Sequence, residues 1–137
     1  MKENRKEPIF KYKIKVRDYE CDAQGIVNNA NYQHYYEVAR HEFLESHGLE
    51  FGKLHDQGID PVVSQVTIKY KNSLYGGDEF YCTVGFEKKG VRYLFNQQII
   101  RISDNKLCSE AVIEVVTLIN GKLSKPDLFD KVFAEYL

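Results

Sequence analysis

The sequence predicts an α+β fold in which one long central helix is wrapped by a curved, mainly antiparallel five-stranded sheet. Only the segment after residue 29 has the apolar spacing of a long amphipathic helix. One segment before it and about four segments after residue 60 have the composition and alternation of strands. The layout is therefore one strand, one long helix and then about four antiparallel strands. A helix packed on such a sheet buries the apolar surfaces of both.

The first strand is predicted at FKYKIKVR, residues 10–17. Apolar side chains occupy every second position of this segment, and lysine or arginine fills each position between them. A period of two places the two kinds of side chain on opposite faces of a strand. The segment is therefore predicted to be a half-buried strand, and the preceding MKENRKEP to be a solvated lead-in.

The long helix is predicted after Asn29, where the apolar period changes from two to that of a helix. Gly48 is expected to end it, because glycine is the residue most often found just beyond a helix C-terminus. The apolar stripe follows the spacing i, i+3, i+4, i+7 and i+11, and it consists of Tyr32, Tyr35, Tyr36, Ala39 and Phe43.

The other strands are predicted from Pro61 onward, in the segments VVSQVTIKYK, EFYCTVGFE, VRYLFNQQIIRI and KLCSEAVIEVVTLI. The last of these is almost continuously apolar at its end, as expected for a strand that is covered on both faces. Asn120-Gly121 is a strong signal for a two-residue turn. The closing segment PDLFDKVFAEYL is predicted to contain a short helix.

Length and composition exclude several classes of protein. The chain has 137 residues, 43% hydrophobic and 28% charged, and a single domain spanning residues 1–137 is expected. A net charge of −1 with scattered basic residues argues against a nucleic-acid partner. No apolar run approaches the ~20 residues of a membrane helix and no signal peptide follows Met1, so no membrane partner is expected. Three widely spaced cysteines without a C-x-x-C pair predict a reducing compartment, taken to be the cytoplasm.

The predicted proportions of helix and sheet favour self-association. One helix covers only part of one face of a five-stranded sheet, which leaves the other face and the sheet edges without cover. An exposed sheet edge pairs readily with another strand. A homodimer or homotetramer is therefore expected, with a site at a subunit interface as one consequence.

One loop carries groups suited to acyl chemistry. Asp22 stands seven residues before Asn29, near the expected start of the helix, and Gly25 lies between them. The first backbone N–H groups of a helix have no partner within it, and they can stabilise the oxyanion of an attacked carbonyl. A carboxylate in the same loop can attack an ester or thioester, or deprotonate a water molecule. The same residues also fit a helix cap and an ordinary turn, so spacing alone leaves both interpretations open.

Other chemistry-bearing residues favour structural roles. Glu37 has Arg40 and His41 at i+3 and i+4, which favours helix-face pairing over a catalytic carboxylate. Cys21 has no associated histidine pattern and is expected to pack. The histidines show no spacing with acids that predicts a metal site, and no metal or cofactor is expected.

Beyond these patterns, several stretches resemble a known family. YECDAQGIVNNANY followed by YYEVAR is similar to the hotdog-fold acyl-CoA thioesterases of the 4-hydroxybenzoyl-CoA thioesterase-like group, with their D-x-D-x-x-G-I/V-V loop and Y-x-E-x-A-R helix. VSQVTIKYKNSLYGGDEF resembles the strand–turn–strand of that family, and NGKLSKP resembles its usual end. The resemblance covers roughly residues 10–126.

The resemblance implies a hotdog fold that hydrolyses an acyl-CoA thioester to a free acid and CoA without a cofactor. An acyl carrier protein thioester is an alternative substrate. Asp22 matches the catalytic carboxylate, which is nucleophile or general base depending on the member. Asn29 matches the residue whose backbone N–H polarises the thioester carbonyl. The matched substrate-binding positions are Gly25, Ile26, Val27, Asn28 and Tyr32.

The sequence departs from the family pattern at three places. Glu20 stands at the first acidic position, no histidine occupies the position of Asn29, and NSLYGG lacks the usual proline. Two rival functions remain: a hydratase or dehydratase on the same fold, which would place a histidine beside an acid, and an acyl-thioester binding protein without activity. A structural oligomerisation module would leave the Asp22 loop unexplained.

Overall fold

A computed structural model describes residues 8–137. The sequence segment predicted as a solvated lead-in lies outside this range except for Pro8. The strands are β1 (Phe10–Lys15), β2 (Ile59–Tyr70), β3 (Glu79–Lys89), β4 (Arg92–Arg101), β5 (Leu107–Ile119) and β6 (Lys122–Ser124). The helices are α1 (Asn29–Ser46), α2 (Phe51–Asp56) and α3 (Asp127–Val132), with 3-10 turns at Asp18–Glu20 and Ala134–Tyr136.

The strands form one antiparallel sheet in the order β1-β3-β4-β5-β2, and the short β6 extends the pairing of β5. β5 lies between β4 and β2, and only Val112 of its 13 residues is exposed. The α+β architecture and the five main strands agree with the prediction. Two strands, β1 and β2, form the edges of the main sheet.

Helix α1 is the central element and packs against β1 and β3. It has 18 residues, and its predicted apolar stripe is buried. It ends at Ser46, and Gly48 follows with a positive φ of 79°, as the prediction of a stop at Gly48 requires. None of the helices between residues 8 and 137 is long and apolar enough to cross a bilayer.

An aromatic cluster closes one end of the core. Phe43 of α1 has no exposed surface, and its ring stacks on Phe133 with the centroids 5.3 Å apart. Phe86 of β3 packs against Phe133 at 5.2 Å, so the C-terminal segment is fastened to both the helix and the sheet. The C-terminal segment thus completes the core, and its predicted short helix is α3.

Helix α2 and the start of β2 differ from the prediction. Helix α2 was not predicted, because its six residues have only one buried side chain, Leu54, and therefore no apolar period to detect. β2 begins at Ile59, two residues before Pro61, because its pairing with β5 already starts at Ile119. The predicted turn at Asn120-Gly121 is confirmed, because both residues have positive φ and connect β5 to β6.

Candidate active site

The loop before α1 is a small hairpin. Cys21 and Val27 form an antiparallel bridge, and the Asp22 N–H donates to the Ile26 carbonyl at 2.9 Å. Gly25 turns the chain with a φ of +82°, and its N–H donates to the Asp22 carbonyl at 3.0 Å. An L side chain in this left-handed conformation costs roughly 1–2 kcal/mol, so the turn accounts for the glycine.

Asp22 stands at the beginning of the hairpin tip, exposed to solvent. One carboxylate oxygen, Oδ1, accepts a hydrogen bond from the Gln24 N–H at 2.8 Å. No other hydrogen bond to this carboxylate occurs within residues 8–137, so Oδ2 is available to a ligand or a water molecule. The Asx turn holds the side chain at the tip while leaving half of the carboxylate open.

The start of α1 leaves one backbone donor without an acceptor. Asn28 caps the helix, because its side-chain oxygen accepts from the Ala30 N–H at 3.0 Å and its carbonyl accepts from the Asn31 N–H at 2.9 Å. The N–H of Asn29, the first helical residue, has no acceptor in the described part of the chain. A free N–H here carries the partial positive charge of the helix N-terminus.

Glu20 fastens this loop to the helix. Its Oε1 accepts hydrogen bonds from the Arg17 N–H and the Tyr35 hydroxyl, both at 2.8 Å. Its backbone carbonyl accepts from the Asn28 N–H at 3.0 Å and from Asn31 Nδ2 at 2.8 Å. Burial, and next the hydrogen bond to Glu20, raises the pKa of Tyr35 well above its usual range, so the hydroxyl stays a donor. No local pattern predicts this anchoring role, because Tyr35 is fifteen residues from Glu20 along the chain.

The predicted substrate-binding residues surround the same hairpin at different depths. Gly25 and Asn28 are exposed, and Ile26 is half-buried in a bridge with Tyr75. Val27 and Tyr32 are 3% and 4% exposed, so in the single chain they form the floor beneath the loop. Leu74 joins the two, because its carbonyl accepts from the Val27 N–H and its N–H donates to the Tyr32 hydroxyl.

Three exposed tyrosines that the sequence analysis did not single out lie on segments joined to this loop. Tyr19, Tyr70 and Tyr75 are 80%, 50% and 51% exposed. The Tyr70 hydroxyl donates to the Asn29 carbonyl at 3.4 Å, and its ring meets Tyr32 edge-on at 5.1 Å. Only the folding of β2 against the start of α1 brings Tyr70 to the site.

Glu37 and Cys21, which the sequence favoured as structural residues, have surroundings that disfavour a catalytic role. The carboxylate of Glu37 lies 3.6 Å from His41 Nε2, which is the helix-face pairing that the sequence favoured. The pKa of the Cys21 thiol is raised, by desolvation first and then by nearby carboxylates that include Asp18 and Asp22. A raised pKa disfavours the thiolate and hence a nucleophilic Cys21. Within residues 8–137 no cluster of three or more His, Cys, Asp or Glu side chains is placed to hold a metal ion.

The cap at Asn28 provides a test of the helix start. Asn28→Ala is expected to lower the free energy of unfolding by about 0.5–2 kcal/mol, because the Ala30 N–H loses its acceptor. Urea unfolding of the purified variant measures this change. Asn28→Asp is the control, since a carboxylate oxygen can also accept at this position. Equal destabilisation by both substitutions would contradict the capping role.

Comparison with known protein families gives one match over most of the chain. The family model described as the thioesterase-like superfamily matches residues 16–137. A curated protein of Haemophilus influenzae, named acyl-CoA thioesterase YbgC, is 32% identical over 126 residues, with 89% of each chain covered. An Arabidopsis thaliana protein, named acyl-acyl carrier protein thioesterase ATL3, is 35% identical over 99 residues; the match covers 72% of this chain and 52% of that protein.

Solved structures share the architecture. The crystal structure of a protein from Aquifex aeolicus matches with a TM-score of 0.84 and 31% identity, over 90% of this chain and 98% of the other. A 1,4-dihydroxy-2-naphthoyl-CoA thioesterase from Synechocystis matches with a TM-score of 0.85 over 92% of this chain and 96% of the other. At 16% identity the second match shows the fold alone.

Proposed function

The chain belongs to the thioesterase-like superfamily, and from this premise we propose that it hydrolyses an acyl-CoA thioester to a free acid and CoA. The observation that carries the proposal is the unpaired Asn29 N–H at the start of α1, on the same loop as the half-open carboxylate of Asp22. The Haemophilus relative, whose name is that of an acyl-CoA thioesterase, supports CoA as the carrier.

In the proposed mechanism the thioester carbonyl oxygen accepts a hydrogen bond from the Asn29 N–H. As the carbonyl carbon is attacked, negative charge develops on that oxygen, and the helix N-terminus stabilises it. Asp22 supplies the attack in one of two ways. Either Oδ2 adds to the carbon and forms an anhydride that water then cleaves, or the carboxylate deprotonates a water molecule that adds instead.

The leaving group needs little assistance. Collapse of the tetrahedral intermediate breaks the C–S bond and releases CoA as a thiolate, which is a better leaving group than an alkoxide because thiols are more acidic than alcohols. The mechanism therefore functions without a histidine at the position of Asn29. Gly25, Ile26, Val27 and Asn28 would line the path of the acyl and pantetheine groups, with Tyr32 beneath them.

The carrier of the acyl group is the main alternative within this function. The Arabidopsis relative is named for acyl carrier protein substrates, although this chain spans only about half of it, with 52% covered. An acyl carrier protein thioester would present the same carbonyl to Asn29 and Asp22. Parallel assays with the same acyl group on both carriers would assign the preference through kcat/KM.

We propose that the active form is a homodimer or a homotetramer, and that β2 supplies the subunit contact. β2 has 12 residues, and its outer edge pairs with no other strand of the described chain. Val62, Val63 and Tyr70 on this strand are exposed apolar side chains. The other edge, β1, alternates exposed lysines, which discourage strand pairing. We expect sedimentation velocity to give at least twice the 16.0 kDa chain mass, and a monomer would contradict this proposal.

Two rival functions make different predictions. A hydratase or dehydratase would need a histidine–acid pair, and the hairpin from Cys21 to Val27 contains no histidine. A binding protein without activity would bind CoA but release no thiol. A purely structural oligomerisation module is disfavoured, because it would give no role to the open Asp22 carboxylate.

A thiol-release assay tests the proposed function directly. The purified protein would be incubated with aromatic acyl-CoAs and with aliphatic acyl-CoAs of graded length, and free CoA would be measured with a chromogenic disulfide. We expect turnover above the rate of spontaneous hydrolysis for at least one chain-length class. CoA binding without thiol release across the whole series would favour the binding protein.

A further inference from the structure

A second feature lies toward the other end of α1. A cavity of about 350 Å³ lies between the second half of that helix, β2, β4, β5 and the C-terminal segment. This volume is at the lower end of the range of about 300–1,000 Å³ for small-molecule pockets. Its wall is mainly apolar and includes Leu44, Phe51, Val62, Val63, Phe95 and Val115.

The wall also contains a buried cation, Arg40. Its side chain is 8% exposed, and one guanidinium nitrogen, Nη1, donates to Gln97 Oε1 at 3.1 Å. In the described residues, 8–137, the other two guanidinium nitrogens have no hydrogen-bond acceptor, and no carboxylate lies within 4.0 Å of the group. Burial lowers the pKa of Arg40, but arginine remains protonated at neutral pH. No fully buried side-chain nitrogen or oxygen of residues 8–137 lacks a hydrogen-bond partner, so the two guanidinium nitrogens without an acceptor are accessible. A guanidinium with open donors favours an anionic ligand.

Gln97 fixes the orientation of this cation. Its amide nitrogen donates to the backbone carbonyls of Tyr36 and Thr83, each at 3.2 Å. These bonds leave Oε1 as the atom that faces Arg40. The guanidinium is therefore held from the side of the sheet, while its remaining donors are not used by the protein. Because Arg40 lines the cavity, these donors are accessible to a molecule inside it.

The other charged groups of the wall do not neutralise Arg40 by contact. Glu37 and His41 also line the cavity, and they lie 3.6 Å from each other. The Glu37 side chain is 50% exposed, so solvent screens its charge at the rim. Desolvation lowers the pKa of His41, which keeps the imidazole mainly neutral at pH 7. Arg40 is thus the cation that an entering group would meet.

We propose that this cavity binds an apolar chain ending in a carboxylate, and that Arg40 receives the carboxylate while the apolar wall holds the chain. Two sources share this chemistry. One is a free monocarboxylic acid; the other is the distal carboxylate of a dicarboxylic acyl thioester, which rests on the function proposed above. Arg40 is eleven residues along α1 from Asn29, about 16 Å at 1.5 Å per residue, so a chain of moderate length would be needed to reach both.

Calorimetric titration with three probes of equal chain length tests the binding site without any assay of activity. The probes are octanoate, 1-octanol and octyltrimethylammonium. We expect octanoate to bind at least about tenfold more tightly than octanol, and the cation not to bind, because only the carboxylate uses the charged donors. Equal affinity for octanoate and octanol, or no binding of octanoate, would overturn the proposal.

Variants then test whether Arg40 is the residue that binds the carboxylate. Arg40→Met keeps a long side chain without the charge and is expected to reduce the preference for octanoate over octanol to about twofold or less. Arg92→Met is the matched control, because Arg92 pairs with Glu114 at the surface, at 3.4 Å. Val115→Trp places a large ring in the cavity wall from β5, away from the β2 edge proposed as the subunit contact, and is expected to abolish binding of both probes. An unchanged preference in folded Arg40→Met, or unchanged binding in folded Val115→Trp, contradicts the assignment.

A kinetic comparison separates the two sources. Two pairs of thioesters have acyl chains of equal length and differ only in a distal carboxylate: octanoyl-CoA with suberoyl-CoA, and tetradecanoyl-CoA with tetradecanedioyl-CoA. The longer pair is included because its extended chain matches the separation of Asn29 and Arg40 along α1. A higher kcat/KM for the dicarboxylic member of either pair that Arg40→Met removes would assign the site to the acyl group. No such preference, together with Arg40-dependent binding of octanoate, would assign it to a free acid. If no acyl-CoA of the aromatic and graded aliphatic series is cleaved while octanoate binds, the proposed function fails and the cavity assignment remains.

Discussion

Replacing Asp22 with asparagine is expected to reduce acyl-CoA hydrolysis by about 10²- to 10⁴-fold, because the variant loses the carboxylate proposed to attack the thioester carbon or to deprotonate a water molecule. The loop should survive the change. The Oδ1 of asparagine can still accept from the Gln24 N–H, which now donates to Asp22 at 2.8 Å. Steady-state thiol release measures the loss, and the unfolding midpoint and CoA affinity should stay near those of the parent.

Asp18→Asn is the matched control for this variant. Asp18 is also an exposed aspartate, four residues before Asp22 in the neighbouring 3-10 turn, and it differs by the same charge. We expect its kcat/KM to remain within about twofold of the parent, since surface charges act weakly at a distance in salt. If Asp22→Asn retained the parent rate, the assignment of Asp22 would be wrong. If both variants lost activity equally, net charge would explain the loss.

Replacing Asn29 with proline removes the backbone N–H proposed to stabilise the oxyanion. The expected loss of kcat is about 10²- to 10³-fold, the usual cost of removing one such donor. Proline suits this position, because Asn29 is the first residue of α1 and proline is favoured there. The preceding Asn28 has φ −66° and ψ 141°, a conformation that a following proline permits. Thiol-release kinetics on a folded variant measure the effect.

Asn29→Ala separates the backbone from the side chain. Alanine keeps the N–H and removes only the carboxamide, so the kcat of this variant is expected to stay within about threefold of the parent. A large loss in Asn29→Ala with little further loss in Asn29→Pro would contradict a backbone oxyanion donor and assign the role to the side chain. The two substitutions together therefore test which part of Asn29 acts.

The start of α1 and the part of α1 around Phe43 contribute differently to stability. The start of the helix leaves a donor unpaired at Asn29 and a carboxylate exposed at Asp22, which are features that a binding site needs. Farther along, Phe43 is fully buried and stacks on Phe133. Burial of large aromatic side chains contributes the stabilising free energy that lets the helix start remain open.

Local patterns predicted the elements that depend on short-range physics. The alternation of residues 10–17 placed β1, and the helical stripe placed α1, since side-chain period follows directly from backbone geometry. The signals at Gly48 and Asn120-Gly121 were also sufficient, because positive φ is a local demand. Helix α2 gave no such signal, because its six residues bury only Leu54 and are stabilised by packing against β2.

The parts of the candidate site that depend on neighbouring residues were likewise predictable from the sequence. Residue type and spacing selected Asp22, Gly25 and Asn29, because turns and helix starts depend on residues that are adjacent in the sequence. The anchoring of the loop by Glu20 and Tyr35 was not predictable, since fifteen residues separate the partners. The contact of Tyr70 with Asn29 spans forty-one residues and exists only once β2 lies beside α1.

The amino-acid sequence was sufficient to predict the succession of strands and the long helix along the chain, the loop that carries Asp22, and the family to which the chain belongs. Each of these rests on neighbours along the chain, where spacing sets geometry. The folded structure was needed to show that the Asn29 N–H is left unpaired and that Arg40 has open donors on a cavity wall. Those two properties depend on which distant groups, such as Gln97, arrive at hydrogen-bond distance, and residue spacing contains no information on that.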